Sequence, residues 1–150
     1  MHNNCIPALL VPQRTIPVNI MAYSLSTAGV AKSNNKYFIA KRKPGNSLGA
    51  LWEFPGGKTE KGEQPQEALK REFLEEFNVD IKVNDILCSG LFTHNENRYK
   101  LIAFKIDLLS EKIELIEHTE YLWATEHDLK KYQFPESDII IVNHLLYKGY

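Results

Sequence analysis

Short runs of alternating hydrophobic and polar residues, the pattern of half-buried strands, recur along the chain. Residues 16–26 alternate in part and are rich in Val, Ile and Tyr, which predicts a first strand. A polar turn at 32–36 separates it from a returning strand at 37–40, and 51–54 is predicted to be a short extended segment. Further strands are predicted at three ranges: 80–92, 99–109 and 121–123.

Three helices are predicted, mainly from the residues at their ends. Residues 64–77 contain no Gly, and their single Pro, Pro65, lies in the first turn, where a missing N–H costs nothing. Asn78 follows and can adopt the left-handed conformation that ends helices. Two further helices are predicted, each behind a capping residue: one through 132 behind Thr125, and one at 138–148 behind Ser137.

The order of strands, helix, strands and helices predicts a mixed α+β domain, without the regular strand–helix alternation of dinucleotide-binding folds. The 150 residues fit one domain, which we assign to 16–150. Residues 1–15 are expected to form an N-terminal tail or a lead-in strand. Residues 1–14 hold one basic residue and no long apolar run, so they do not resemble a signal peptide.

Composition and charge narrow the class of protein. Hydrophobic residues make up 43% and charged residues 25% of the chain, which excludes a disordered or fibrous protein. The longest aliphatic runs fall far short of the roughly 20 residues of a membrane span. A net charge of −1 gives no reason to expect a duplex nucleic acid as partner. Two cysteines without a CxxC pair favour reduced thiols in a cytoplasmic protein.

The informative chemistry lies on the predicted helix at 64–77. At about 100° per residue, Glu72, Glu75 and Glu76 share one face beside an apolar stripe, so that face is partly shielded from water. Carboxylates one turn apart repel each other, and a hard divalent cation such as Mg²⁺ would turn this repulsion into binding. The alternative is a solvated acidic face that pairs with neighbouring basic residues.

These glutamates belong to a longer motif with fixed spacing. Its positions are Gly57, Glu63, Arg71-Glu72-Phe73, Glu75-Glu76 and Asn78-Val79. The pattern resembles the signature box of the Nudix hydrolases, except that Asn78 stands where the family has Gly. Asn tolerates positive φ better than most residues, so we expect the turn to survive. The resemblance implies the Nudix fold, an α/β/α sandwich around a central mixed β-sheet.

The resemblance continues outside this box. The approach LWEFPGGK at 51–58, Arg42 at the end of the second strand and FPESD at 134–138 are similar to the MutT-like branch, whose members clean or hydrolyse nucleoside triphosphates. The similarity covers roughly residues 16–146, nearly the whole chain.

The resemblance implies a metal-assisted attack of water on a phosphorus of a nucleoside diphosphate that is linked to another group. It implies Mg²⁺ as cofactor, with Mn²⁺ as the alternative. Glu72 is also placed to act as general base. Glu117 would join the metal site or act as base, and the competing interpretation is a solvated loop carboxylate. The implied metal ligands are Gly56, through its carbonyl, with Glu72, Glu75, Glu76 and Glu117. The residues implied to brace the motif are Gly57, Glu63 and Arg71, and the alternative for Glu63 is support of a second metal.

Further residues are candidates for substrate binding. Arg42 and Arg98 can each offer a bidentate fork to phosphate oxygens, and the competing interpretation of each is a surface arginine at a strand end. The phosphate-binding role is favoured for Arg42, whereas the two interpretations of Arg98 stay open. Phe134 could stack on a base, and Asp138 could accept from its amino or ring N–H groups or merely favour a helix N-terminus. Glu53 is expected beside the substrate cleft or as a structural carboxylate that bonds the glycine loop.

The implied activity is Mg²⁺-dependent hydrolysis of a nucleoside triphosphate to the monophosphate and pyrophosphate. Candidate substrates are oxidised purine triphosphates such as 8-oxo-dGTP, and CTP or modified cytosine triphosphates. Two alternatives remain: an ADP-ribose or dinucleoside polyphosphate hydrolase, and a non-catalytic nucleotide-binding module. We expect a cytoplasmic monomer or homodimer that takes a small nucleotide and has no membrane or duplex nucleic acid partner.

Overall fold

The computed structural model describes residues 22–45 and 50–150. The predicted tail at 1–15 and the first part of the predicted strand at 16–26 lie outside these ranges, and the single domain at 16–150 stays a prediction. The described part holds six strands and three helices: β1 (Ser24–Ser33), β2 (Lys36–Arg42), β3 (Trp52–Glu53), α1 (Pro65–Phe77), β4 (Ile81–His94), β5 (Asn97–Leu108), β6 (His118–Thr125), α2 (Glu126–Leu129) and α3 (Glu136–Tyr147).

The strands form a mixed sheet in the order β3-β2-β1-β5-β4, and β6 also pairs with β2. β1 runs parallel to β5, and the other paired strands are antiparallel. β1 pairs with β2 only at Lys32 and Ser33, next to their turn. The two strands therefore diverge from that turn, and the space that opens beside β1 is taken by the loop after β3.

Helices cover both faces of the sheet because neighbouring residues of a strand point to opposite sides. Tyr37 of β2 belongs to a buried cluster that includes Ile141 of α3. The next residue, Phe38, belongs to a second cluster that includes Phe73 and Phe77 of α1. This arrangement confirms the predicted α+β class and the α/β/α sandwich with a central mixed sheet. In the part of the chain described, no helix has the length and apolar character needed to cross a membrane.

The β1–β2 and β4–β5 hairpins turn more tightly than predicted. The expected turn at 32–36 narrows to Asn34-Asn35, with φ of 49° and 58°, and β4 joins β5 through Asn95-Glu96, with φ of 47° and 64°. Two consecutive residues with positive φ match the right-handed twist of the flanking strands, so both pairs of strands extend almost to the turn.

Two of the three capping residues predicted from the sequence lie at helix ends in the structure. Asn78 ends α1 with φ 50° and ψ 40°, and the Thr125 side chain accepts a hydrogen bond from the Asp128 N–H at the start of α2. The predicted cap of the last helix at Ser137 is wrong. The N-terminal cap of α3 is Pro135, whose carbonyl accepts the Asp138 N–H at 3.0 Å, so Ser137 already lies in the first turn.

Candidate active site

A cavity of about 520 Å³ lies between β1, the loop after β3 and the start of α3. Part of its lining carries charged side chains: Arg42, Glu53, Lys58, Glu72, Glu76, Glu117, Glu136 and Asp138. Another part is apolar or aromatic: Ala28, Phe54, Phe92, Tyr99, Leu101 and Pro135. A lining that combines converging charges with aromatic surface suits a ligand with one charged end and one flat end.

The glycine loop, residues 55–58, reaches this cavity by pairing with β1. The Thr27 N–H donates to the Gly57 carbonyl at 2.7 Å, and the Gly29 N–H donates to the Pro55 carbonyl at 2.8 Å. A Cβ on Gly56 would lie 2.1 Å from the Thr27 oxygen, and a Cβ on Gly57 would lie 2.4 Å from Cδ of Glu72. Gly56 is thus required by its close approach to backbone atoms of β1, whereas a side chain at Gly57 would displace the carboxylate of Glu72.

Two of the three predicted glutamates on α1 face the cavity. Glu76 is buried with 3% exposure, and Glu72 is half-buried. Burial and the nearby charges of Glu53 and Glu72 raise the pKa of the Glu76 carboxyl to about 9. Burial also raises the pKa of Glu72, against the opposing effect of Arg71. The structure does not bring Glu75 to the cavity lining, because its carboxylate pairs with Arg71 at 3.3 Å on the exposed side of α1.

Arg71 binds several neighbours at once, as expected of a bracing residue. Its guanidinium donates to both carboxylate oxygens of Glu63, at 2.8 and 3.1 Å, and to Glu72 at 2.8 Å. It also donates to the Lys58 carbonyl at 3.2 Å. These bonds tie the start of the motif to α1 and support the predicted structural roles of Glu63 and Arg71.

Glu117 lies in the exposed loop before β6 and lines the same cavity. Its charge is one of the factors that raise the pKa of Glu72 and of Glu76. The loop is attached to the end of α1, since the Ile116 N–H donates to the Glu76 carbonyl at 3.1 Å. The structure thus brings Glu117 to the two inward-facing glutamates, 41 positions after Glu76 in the chain.

Sequence reasoning missed a buried group formed by Glu53, Glu76 and His118. One potential metal-ligand atom from each lies within 4.8 Å of the others, and it is the one group of three such residues found in the described ranges. Glu53 accepts from Arg42 Nε at 2.6 Å and hydrogen bonds to His118 Nε2 at 2.7 Å. Of the two expectations for Glu53, the structure agrees with a place beside the cleft, and among the described residues its carboxylate bonds to Arg42 and His118 rather than to the glycine loop. The sequence did point to Glu53, because its segment was expected beside the substrate cleft. No pattern in the sequence pointed to His118.

The charged part of the cavity fits a divalent cation. Oε2 of Glu76 is buried and has no hydrogen-bond partner among the residues described. The carboxylates of Glu72 and Glu117 and the backbone of Gly56 line the same cavity. Such a set of oxygen donors suits a hard cation, which would also offset the repulsion among the carboxylates.

The predicted substrate-binding residues separate into two groups. Arg42 and Asp138 line the cavity. Arg98 and Phe134 are not among the described lining residues: Arg98 lies near the β4–β5 turn, 5.9 Å from the ring of Tyr23, and Phe134 stacks on Phe54 with ring centroids 5.8 Å apart. Phe134 thus backs a ring that does line the cavity.

Asp138 joins α3 to the loop after β3. One carboxylate oxygen accepts the Phe54 N–H at 2.7 Å, and the other accepts the Ser137 hydroxyl at 2.9 Å. Burial and the charge of Glu53 raise the pKa of Asp138 to about 7. Neither reading of Asp138 from the sequence included this bond to the strand–loop segment, which is formed across 84 positions of the chain.

The aromatic part of the lining was also missed. Phe92 and Tyr99 stack across the β4–β5 hairpin with centroids 5.2 Å apart, and the Lys58 ammonium lies 4.7 Å from the Tyr99 centroid. Phe92 and Tyr99 face each other in the register of the two strands. Only alternation along each strand could have indicated their shared face.

Comparison with known proteins identifies a protein family that matches most of this chain. A model of the NUDIX domain matches residues 27–144. An 8-oxo-dGTP diphosphatase from Buchnera aphidicola subsp. Schizaphis graminum is 31% identical over 83% of this chain and 95% of its own length. A CTP pyrophosphohydrolase from Escherichia coli is 26% identical over 75% of this chain and 83% of its own. The solution structure of the E. coli ORF135 protein has a TM-score of 0.76 at 24% identity, covering 87% of this chain and 93% of that one, and so shares the fold.

Proposed function

Because the chain belongs to the NUDIX family and is a hydrolase of phosphoric anhydrides, we propose that it converts a nucleoside triphosphate to the monophosphate and pyrophosphate. The observation that carries this proposal is the meeting of Arg42 with Glu72, Glu76 and Glu117 in one cavity that also has aromatic surface. The names of two relatives, 8-oxo-dGTP diphosphatase and CTP pyrophosphohydrolase, support a triphosphate substrate.

The enzyme uses a divalent cation, and we propose Mg²⁺ for it, with Mn²⁺ as a substitute. Glu72, Glu76, Glu117 and the Gly56 carbonyl would hold it, and Glu75 could join by leaving Arg71. A cation bound there would polarise phosphate oxygens and favour ionisation of the attacking water. The carboxylates would also be relieved of their mutual repulsion, which is greatest for the buried Glu76.

Glu72 is proposed to take the proton of the attacking water. Its half-buried position raises the pKa of the carboxyl, which brings it closer to the range in which a general base works near neutral pH. Arg71 donates to Oε1 of Glu72 at 2.8 Å and thereby fixes the direction in which the carboxylate points. Gly57 leaves the space that this position needs.

The substrate would lie with its phosphates at Arg42 and its base near the aromatic lining. Guanidinium binds phosphate oxygens through charge-assisted hydrogen bonds. At the other end, Asp138 could accept from an amino group, which both guanine-like and cytosine-like bases carry. The proposal therefore covers oxidised purine and cytosine triphosphates. A phosphate contact from Arg98 and a base contact from Phe134 remain predictions, as do the monomer or homodimer and the cytoplasmic location.

The test is a substrate panel with purified protein and Mg²⁺, containing 8-oxo-dGTP, CTP, 5-methyl-dCTP and ADP-ribose. We expect a triphosphate to be the best substrate and to give monophosphate and pyrophosphate in equal amounts. Preferred hydrolysis of ADP-ribose would favour the first alternative. Tight nucleotide binding without turnover would favour the non-catalytic module. Release of orthophosphate as the first product would contradict the proposed reaction.

A further inference from the structure

Three side chains link the buried strand β6 to the cavity: His118, Glu53 and Arg42. Nε2 of His118 lies 2.7 Å from one oxygen of Glu53, and the other oxygen accepts from Arg42 Nε at 2.6 Å. We propose that His118 is a positioning residue, which holds Glu53 so that Arg42 presents its guanidinium to the substrate phosphates. This inference rests on the proposed function, since it takes Arg42 as the phosphate-binding group.

An irregularity in the sheet brings these residues together. Lys41 pairs with Glu120 and Arg42 pairs with His118, so the register between β2 and β6 shifts by one residue. Regular pairing would place Thr119 opposite Arg42. Because partners in an antiparallel pair share a face, the shift puts the imidazole on the same side as Arg42, the side on which Ala40 faces Glu53. Bulges commonly redirect a side chain in this way next to active sites.

The surroundings of the imidazole fix its position and its role as a donor. The His118 side chain is 1% exposed, and its ring stacks on Phe77 with centroids 4.7 Å apart. Nδ1 is buried without a hydrogen-bond partner among the described residues. A buried N–H without an acceptor costs more than a bare ring nitrogen, so the arrangement favours a proton on Nε2, which then donates to Glu53. The hydrogen-bond partners of the ring thus determine which tautomer it adopts.

The bond from His118 affects Arg42 because it fixes the orientation of Glu53, whose carboxylate is buried close to another acidic side chain. Glu53 is 7% exposed and lies close enough to Glu76 that its charge raises the pKa of that carboxyl. Within the described ranges, each oxygen of Glu53 has one hydrogen-bond donor, which is His118 for one oxygen and Arg42 for the other. Since guanidinium is planar, a fixed Nε sets the plane in which its other N–H groups point. Loss of the His118 donor would leave Glu53 free to turn and Arg42 without a fixed plane.

A competing role for His118 is direct ligation of a metal ion together with Glu53 and Glu76. Ligating histidines almost always donate their second ring N–H to a carboxylate, carbonyl or water. Nδ1 of His118 has no carboxylate or carbonyl partner in the described part of the chain. The geometry therefore favours the positioning role, and metal ligation becomes an outcome that the experiment can detect.

The experiment compares His118→Leu, which removes the donor at similar volume, with His118→Gln, whose amide nitrogen reaches about as far as Nε2. The first readout needs no substrate: the side-chain Nε–Hε resonance of Arg42 in ¹⁵N NMR of the full-length protein. We expect it to be protected from water exchange in the wild type and in His118→Gln, and to be lost in His118→Leu.

The second readout is steady-state kinetics on the best triphosphate with Mg²⁺. For His118→Leu we expect KM to rise about tenfold with kcat within about threefold, because Arg42 binds phosphate before and during reaction, and His118→Gln should restore most of the affinity.

Two results would overturn the inference. One is a protected Arg42 resonance and an unchanged KM in His118→Leu. The other is weakened binding of Mn²⁺ or Mg²⁺, measured by calorimetry, with KM for the nucleotide intact, which would make His118 a metal ligand. If His118→Leu does not fold, His118→Asn replaces it, since its amide lies at the Nδ1 position and cannot reach Glu53. If the wild type hydrolyses no triphosphate, the proposed function fails while the Arg42 resonance still decides the role of His118.

Discussion

Glu76 gives the sharpest prediction about stability. The carboxyl is 3% exposed, its Oε2 has no hydrogen-bond partner in the described ranges, and its pKa rises from 4.5 to about 9 on folding. A raised folded-state pKa in an acid means that its contribution to stability is fully present below pH 4.5 and is lost as the pH rises through about 9. Without metal, the protein should therefore become less stable between pH 6 and pH 8.

The size of this loss follows from proton linkage. Within that window the folded protein binds about one proton more than the unfolded chain at Glu76, which is worth about 1.4 kcal/mol per pH unit. Glu76 should thus remove about 3 kcal/mol of stability from pH 6 to pH 8. Glu76→Gln cannot ionise, so its stability should depend on pH less steeply by about that amount. Asp138, with a pKa near 7, accounts for part of the slope that remains.

The assay is urea unfolding of both proteins at pH 6 and pH 8, first with a chelator and then with Mg²⁺. A cation binds only the ionised carboxylate, so Mg²⁺ should stabilise the wild type more at pH 8 than at pH 6, and should have a smaller effect on Glu76→Gln. Equal pH slopes for the two metal-free proteins would refute the assignment of Glu76 as a buried, proton-binding carboxyl.

Substitutions at three further positions distinguish effects on stability from effects on catalysis and substrate preference. Asn78→Gly should alter the free energy of unfolding by less than about 1 kcal/mol, because relief at positive φ offsets the lost bond from Asn78 to Glu114 at 3.0 Å, whereas Asn78→Ala should destabilise by about 1 kcal/mol in urea unfolding. Gly57→Ala should lower kcat about tenfold or more, since the added Cβ would lie 2.4 Å from Cδ of Glu72; an unchanged kcat would show that Glu72 can move harmlessly. Asp138→Asn should change the ratio of kcat/KM between the two best substrates by about tenfold, or about 1.4 kcal/mol, and a fixed ratio with uniform slowing would leave Asp138 only as the anchor of α3.

The sequence predicted those parts of the fold that depend on local signals. Helix α1 spans Pro65–Phe77, within one residue of the predicted 64–77, because Pro65 and the capping residue Asn78 act through their own backbone geometry. The Ser137 cap was wrong because Pro135 starts α3 two residues earlier with no side-chain capping bond, so the hydroxyl of Ser137 was left to bond Asp138. Short-range signals of this kind can compete, and the structure decides which one prevails.

The site was predicted less completely, since several of its contacts depend on long-range register. Fixed spacing along one helix was enough to indicate the inward faces of Glu72 and Glu76. The position of His118 depends on a one-residue shift between β2 and β6, which no local pattern announces. Glu75 shares the helical face, but its carboxylate turns toward the solvent side of the helix because it forms an exposed salt bridge with Arg71. The spacing of residues therefore identifies the helix that holds the site glutamates. The register of the strands determines which other residues reach the site.

The proposed reaction is hydrolysis of a nucleoside triphosphate to monophosphate and pyrophosphate, with Glu72, Glu76 and Glu117 holding the cation. The most direct test is a ³¹P NMR time course of the best triphosphate from the substrate panel with saturating Mg²⁺, for the wild type and for folded Glu76→Gln. We expect equal amounts of monophosphate and pyrophosphate from the wild type and a kcat at least about a hundredfold lower in the variant, or about 2.7 kcal/mol of barrier. Near wild-type turnover by Glu76→Gln, or orthophosphate as the first product of the wild type, would contradict the proposed reaction.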